Sequence, residues 1–304
     1  MSPITLIAPS LPLQKPTKKL FAYVNGHIVP AEKAAVSVFD RGIVLGDGLF
    51  ETVRAVKGMP QFFSLHYQRL AKSAKRLQIK LELNEKALQK MVQTLCAKSK
   101  LDDAVVRITL TRGHYQGGLG IDKSLPPTLI ITVTPVSGLP PELYTKGVKV
   151  VISTINKAAA SGLDSTIKSI NYLANIFAKA QADQKKCYEA ILLGPHGEIA
   201  ELSTSSFFCV VDGEVLTPPI DTGILPGITR QVLLQILKRE KIPFREAALF
   251  PQEIEKMSEA FLSSSIRGPV PITRIDAKKI GPGKVGPIFK QLRQLYDAEC
   301  LQAT

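Results

Sequence analysis

The sequence predicts an α/β protein built as two packed lobes, a smaller N-terminal one and a larger C-terminal one. Three observations carry that reading. At 304 residues the chain is too long for one small module and suits two α/β lobes, each with its own core. Short β-prone runs alternate with segments of helical periodicity along nearly its whole length. Near the middle, VSGLPPELYTKG breaks every periodicity with glycine, two adjacent prolines and polar residues. The expected organisation is an arm over 1–20 rich in proline and lysine, a first lobe over 21–135, a linker over 136–146 and a second lobe over 147–304.

The first lobe opens with FAYVNGHIV, where Asn25-Gly26 supplies the residues that a two-residue hairpin turn demands. DRGIVLGDG reads as a glycine-rich turn into the strand LFETVRAVKG, which ends at Gly58. Ser64 is placed to cap the helix LHYQRLAKSAKRLQI, in which Leu65, Leu70, Ala74 and Leu77 recur at helical spacing. A second helix is expected over about 84–99. AVVRITLTRG then alternates as a strand, with Val106, Ile108 and Leu110 on one face and Arg107 on the other, and PTLIITVTP follows as another strand. The second lobe runs through strand KVVIST, the segment STIKSINYLANIFAKAQAD ending in a helix, strand EAILL, and the hairpin FFCVVDGEVLTPP turned at Asp212-Gly213. GITRQVLLQILKRE is a helix with Thr229 near its start; strand KIPFREAALF, helix PQEIEKM, strand EAFLSSS and a helix over about 285–301 close the chain.

Composition narrows the function. Hydrophobic residues at 45% and charged residues at 21% fit a folded, soluble chain. No apolar run is long enough to span a membrane, and Pro3, Pro9, Pro12 and Pro16 interrupt the N-terminus, so neither a span nor a secretory signal is expected. Cys96, Cys187, Cys209 and Cys300 are far apart without a CxxC pair, which makes a reducing cytoplasm the default. The net charge of +13 raises the question of nucleic acid, but the basic residues are dispersed, Trp is absent and no finger or RNP-like run occurs; small anionic ligands are favoured instead. His27, His66, His114 and His196 are isolated, so no metal site is expected. GxSxG is missing, and GDG, GGLG and GPGKVG match neither nucleotide-binding loop.

What remains is a set of polar residues at element ends. Lys168 sits in the mostly apolar stretch Ile167–Leu173, ahead of a helix with Leu173, Ile176 and Phe177 on one side. A lone lysine there ordinarily snorkels to solvent; a desolvated one has a lowered pKa, and its neutral amine can attack a carbonyl. Glu201 follows a strand and precedes a run of serines and threonine, as an ordinary turn acid or as the partner of a ring nitrogen. ILPGITR puts backbone N–H groups and Thr229 at a helix start, which is either a capped surface helix or a phosphate site. Ser263, Ser264 and Ser265 at a strand end make a loop or add hydroxyls to a site.

In order and spacing, DRGIVLGDGLFETVRA, HYQRL, TRG, IKSINYLAN, EAILLGPHGEIAE, ILPGITR and FLSSSIRGPVPI resemble the class IV, or fold type IV, pyridoxal phosphate enzymes over about 21–301. That family comprises branched-chain aminotransferases, D-amino acid aminotransferases, (R)-amine transaminases and aminodeoxychorismate lyase. The resemblance implies the cofactor pyridoxal 5'-phosphate between the two lobes. It also implies Lys168 as the Schiff-base lysine and proton shuttle, and Glu201 as the carboxylate that keeps the pyridine nitrogen protonated. By the same resemblance Arg69, the amides of Ile228 and Thr229, the Thr229 hydroxyl, Ser264 and Ser265 form the phosphate cup, Leu225 packs on the ring, and Tyr172 bonds its phenolic oxygen. Phe50 and Arg107 fall to the substrate, Arg107 as partner of a carboxylate.

The chain departs from the family in places. Leu202 and Ser206 stand where members commonly have Gly and Asn, and Val105 stands where branched-chain enzymes have Tyr. GHYQGGLG lacks the Arg and His pair of the D-amino acid enzymes, and KSINYL differs from the KHxNRL of one type of lyase. The expected activity, on Tyr172 and Arg107, is that of a cytoplasmic homodimer transferring an amino group between a branched-chain L-amino acid and a 2-oxo acid such as 2-oxoglutarate. The alternative, favoured by FET at 50–52, is aminodeoxychorismate lyase forming 4-aminobenzoate and pyruvate; a D-amino acid aminotransferase comes third. Small molecules are the only partners expected besides the second copy.

Overall fold

Asn25 and Gly26 take left-handed φ values of 43° and 94°, the geometry that turns β1 (Phe21–Val24) into β2 (His27–Pro30). The structure, a computed structural model, describes residues 19–137, 140–156 and 164–302; the expected arm, apart from Lys19 and Leu20, lies outside the described residues. DRGIVLGDG is more than a turn. Asp40 accepts a hydrogen bond from the Gly42 amide at 2.7 Å and Gly46 closes the last turn at φ 67°, so a short helix α1 (Arg41–Leu45) forms between them. β3 (Gly48–Val56) and β4 (Met59–Pro60) form a hairpin through Lys57-Gly58.

The helix α2 (Phe63–Leu77) starts one residue before Ser64, with Phe62 at its N-cap and no side-chain cap. Ser64 is therefore not the cap; its hydroxyl accepts from Gln68 Nε2 one turn on. α3 (Glu85–Ser99) is capped by Asn84, whose side chain accepts from the Ala87 amide. β5 (Asp103–Thr111) and β6 (Thr128–Pro135) complete a six-stranded sheet in the order β2-β1-β6-β5-β3-β4. Val106, Ile108 and Leu110 bury against Leu70 and Ala74 of α2 and Leu88, Val92 and Leu95 of α3, so Arg107 is left on the other face.

The stretch read as a linker contains one helical turn, α4 (Glu142–Thr145), which buries Leu143 and lets the Tyr144 hydroxyl donate to the Arg267 carbonyl. The second sheet takes β7 (Val148–Asn156), β8 (Glu189–Leu193), β9 (Ile199–Leu202), β10 (Ser206–Val211), β11 (Glu214–Thr217), β12 (Phe244–Glu246), β13 (Glu259–Ser264), β14 (Gly268–Ile275) and β15 (Lys278–Lys279). Its order is β12-β11-β10-β13-β14-β7-β8-β9, with β15 beside β14, and β9 pairs back to β10 through Glu201 and Ser206, which closes most of the sheet into a ring. Glu201 thus lies inside a strand, not after one. α5 (Leu173–Gln184) packs on β7 and β8, and α6 (Ile228–Arg239) and α7 (Pro287–Gln302) cover the stacked Phe208 and Phe261.

Three sequence expectations change here. KIPFREAALF yields only the three residues of β12, and PQEIEKM forms a 3₁₀ segment, Pro251–Lys256. β14 was not expected, because Pro269 and Pro271 argue against a central strand. The register removes the conflict: β7 begins to pair with β14 only at Ile272, so both prolines lie where that side of the strand needs no donor. Leu173, Ile176 and Phe177 of α5 share a face as expected, but it is an exposed one, at 65%, 60% and 55%.

Candidate active site

The two sheets meet at a short backbone seam. The Phe50 amide donates to the Lys168 carbonyl at 2.9 Å, and the Ile170 amide donates to the Gly48 carbonyl at 3.1 Å. Lys168 is thereby fixed against the start of β3, with its side chain directed at a cavity of about 1150 Å³ between the sheets. That cavity collects residues distant in sequence: Phe50, Arg69, Arg107, Lys168, Tyr172, Glu201, Leu225, Ile228, Thr229, Ser264 and Ser265 all line it. Val105 and Ser206, two of the departures, line it as well, while Leu202, buried in the second core, contributes to its wall.

Lys168 Nζ donates to the Tyr172 hydroxyl at 2.8 Å and lies 4.7 Å from the centre of the Phe50 ring. Burial pushes its ammonium down, Arg69 and Arg107 add to the effect, Glu51 and Glu201 oppose it, and the result is about 8. A lysine so placed is partly neutral near physiological pH and can act as nucleophile or base. Phe50 meets Tyr172 edge to face at 5.0 Å and carries the Arg107 guanidinium 3.7 Å above its ring. Arg107 forms no ion pair among the described residues, which leaves its charge available to an incoming anion.

Glu201, 7% exposed, accepts from the Leu225 amide at 2.9 Å. Leu225, Pro226 and Gly227 lead into α6, whose N-cap Gly227 offers no side chain, so the first amides, those of Ile228 and Thr229, face the cavity without a capping group. A Cβ on Gly227 would come 2.6 Å from Ser206 Oγ, so any side chain there would displace that hydroxyl. Across from it, the buried hydroxyls of Ser263 and Ser264 have no hydrogen-bond partner, nor do those of Ser203 and Ser205. Orphan hydroxyls beside uncapped helix amides are the donor set of an anion cup, and the site fits a phosphorylated ring held between that cup and Glu201.

Three residues of the site were missed by sequence reasoning. Glu51 is buried and forks Arg69, with Nε to Oε1 and Nη2 to Oε2, both at 2.7 Å. Its signal was parity: Glu51 shares a strand face with Leu49, Val53 and Ala55, so a carboxylate there needs a cation, and HYQR supplies one on the next helix. Tyr296 of α7 is buried beside Thr229, and Asn175 of α5 donates to the Ser203 carbonyl at 2.7 Å; neither had a sequence signal.

A family model described as amino-transferase class IV matches residues 48–275. A Methanocaldococcus jannaschii protein provisionally named branched-chain-amino-acid aminotransferase is 34% identical over 274 residues, 90% of this chain and 94% of that protein. A Listeria monocytogenes D-alanine aminotransferase is 32% identical over 92% of this chain and 96% of its own. Among solved structures, the Escherichia coli branched-chain amino acid aminotransferase superposes with a TM-score of 0.87 at 27% identity, covering 92% of this chain and 94% of that one. A Legionella pneumophila protein provisionally named 4-amino-4-deoxychorismate lyase does so at 0.81 with 26% identity, over 88% and 97%.

Proposed function

The chain belongs to the class IV aminotransferases, and on that premise we propose that it transfers an amino group from a branched-chain L-amino acid to a 2-oxo acid such as 2-oxoglutarate. The observation that carries this reading is the Lys168–Tyr172 pair facing Phe50 and Arg107, a partly neutral amine beside an aromatic wall and a cation with no ion pair among the described residues. Pyridoxal 5'-phosphate, when bound, supplies an electrophilic carbonyl and an electron-withdrawing ring. Ile228, Thr229, Ser264, Ser265 and Arg69 would hold its phosphate, Leu225 its ring face and Glu201 a proton on its ring nitrogen. Lys168 Nζ is the base that takes the substrate's Cα proton, and Tyr172 keeps that amine oriented. Arg107 binds the carboxylate of the 2-oxo acid, while Phe50, Tyr172, Val105 and Ile155 offer an apolar surface to a branched side chain.

Glu51 of FET is engaged by Arg69 and His66, so that carboxylate is not free to meet a lyase's substrate. Val38, Phe39, Ile43 and Val44 at α1 are exposed, as are Leu173, Ile176 and Phe177 of α5, and Asn171 Nδ2 bonds the Gly46 carbonyl between the two groups. An apolar surface of that kind fits a homodimer. Four free cysteines fit a cytoplasmic setting, and among the described residues no helix is long and apolar enough to cross a membrane. We take 136–146 as the boundary between the lobes.

The test is a half-reaction. Leucine, isoleucine or valine alone should bleach the visible absorbance of the holoenzyme in one turnover, and 2-oxoglutarate should restore it. If all three leave the spectrum untouched while aminodeoxychorismate alone yields pyruvate and 4-aminobenzoate, the lyase replaces the transaminase. Bleaching by D-alanine alone would select the third reading.

A further inference from the structure

The buried carboxylate of Glu51 does not line the cavity, yet three hydrogen bonds converge on it. Its Oε1 accepts from Arg69 Nε, and its Oε2 accepts from Arg69 Nη2 and His66 Nδ1, each at 2.7 Å. Arg69 Nη1 in turn donates to the Pro226 carbonyl at 2.8 Å. Of the five N–H groups of a guanidinium, three are thus engaged, and one remains on each terminal nitrogen. The turn that Arg69 grips is the one Glu201 holds from the other side through the Leu225 amide, so the entry to α6 hangs between two buried acids.

We propose that Glu51 is a positioning residue for the cofactor's phosphate, acting through Arg69: the fork fixes the guanidinium so that its remaining N–H groups and the Leu225–Gly227 turn present one rigid anion cup. Without the fork, arginine has many rotamers, and fixing one on phosphate binding costs conformational entropy. Ionisation supports the role. Burial alone would raise the Glu51 carboxyl, but Arg69 and His66 outweigh it and hold it at about 2, so the fork is made throughout the physiological range. The opposite expectation is that Glu51 merely cancels the charge of Arg69, in which case removing it would tighten phosphate binding.

The proposal rests on the reading that the cup takes the phosphate of pyridoxal phosphate, and the test separates the two. The full-length protein, stripped of cofactor, is titrated with pyridoxal phosphate and with pyridoxal, which lacks the phosphate. Wild type should bind the phosphorylated form far more tightly. Glu51→Gln, which keeps the shape but removes one acceptor and the charge, should weaken pyridoxal phosphate about tenfold, as expected for one charge-assisted bond misaligned. It should leave pyridoxal within about twofold and add nothing in an Arg69→Ala background. Should Glu51→Gln not fold, Glu51→Asp keeps the charge but shortens the reach, and it should show the same selective loss. Equal weakening of both ligands, additivity with Arg69→Ala, or tighter binding of pyridoxal phosphate each overturns the proposal. A wild type with no preference for the phosphorylated form overturns the cup itself, and the proposal with it.

Discussion

The two ends of the cavity are built on opposite plans. At one end the donors are backbone amides of α6 and short serine hydroxyls on buried elements, and the cation beside them, Arg69, is balanced by Glu51. At the other end Arg107 lies over Phe50 with no ion pair among the described residues, with Val105 also lining the cavity and Thr52 and Thr132 opposite it in the sheet. Many fixed, neutral donors suit a group that stays; one charge on an apolar wall suits ligands that come and go. Binding strength and turnover are thereby assigned to different residues, and the difference can be measured.

Lys168 stands between the two ends, so its removal gives the largest effect. Lys168→Ala should lower amino transfer by at least about a thousandfold, as expected on losing a nucleophile and base, while dialysis still shows cofactor bound. Retained turnover would mean that another group takes the proton. Glu201→Gln should reduce kcat about a hundredfold, near 3 kcal/mol of electrostatic stabilisation, with KM little changed. An unchanged kcat would reduce Glu201 to a support for the Leu225 amide. Replacing Ser264 and Ser265 together by alanine should weaken cofactor affinity about tenfold or more and leave kcat at saturating cofactor nearly intact, since only the first end is touched. Arg107→Leu is the mirror experiment: KM for 2-oxoglutarate should rise about tenfold and that for leucine much less. The contrast between the ends collapses if Arg107→Leu alters cofactor affinity or the serine pair alters KM for the 2-oxo acid.

The smallest effect is in pH. The Lys168 ammonium is lowered from 10.5 to about 8 by burial, so the neutral amine accumulates as pH rises through about 8. The rate of covalent cofactor capture should therefore climb between about pH 7 and 9 and level off above, instead of climbing to the unperturbed lysine range near 10.4. The sign for folding is the same: the unfolded chain keeps this proton to higher pH than the folded one, so the cofactor-free protein gains stability as pH rises from about 8 toward 10.5. A calorimetric series over that window would show it.

Much of this was legible from local patterns. Alternation in AVVRITL put Arg107 off the core face, and Asn25-Gly26 and Asp212-Gly213 marked hairpins that the structure contains. What escaped was decided at a distance. Pro269 and Pro271 hid β14 because only the late start of the β7 pairing makes them harmless. Asp40 turned DRGIVLG into a helix, and Phe62, in a left-handed conformation, displaced Ser64 as the first residue before α2. Order and spacing assembled the motif residues of the site, yet Glu51 and Tyr296 support it from elements whose approach no local pattern encodes. The apolar face of α5 shows the same limit, since periodicity gives a face without saying what it meets.

The seam between Phe50 and Lys168, and between Ile170 and Gly48, also sets a kinetic constraint. The segment bearing the lysine cannot leave the first sheet without breaking both bonds at once, so those two amide protons report on separation of the lobes as a single event. Deuterium uptake at Phe50 and Ile170 should proceed at one common rate, slow relative to the loop at 116–120, and slow further when cofactor fills the cavity. Cofactor escape and lobe parting would then share one barrier, and the lifetime of the loaded protein would be written in the exchange of two backbone hydrogens.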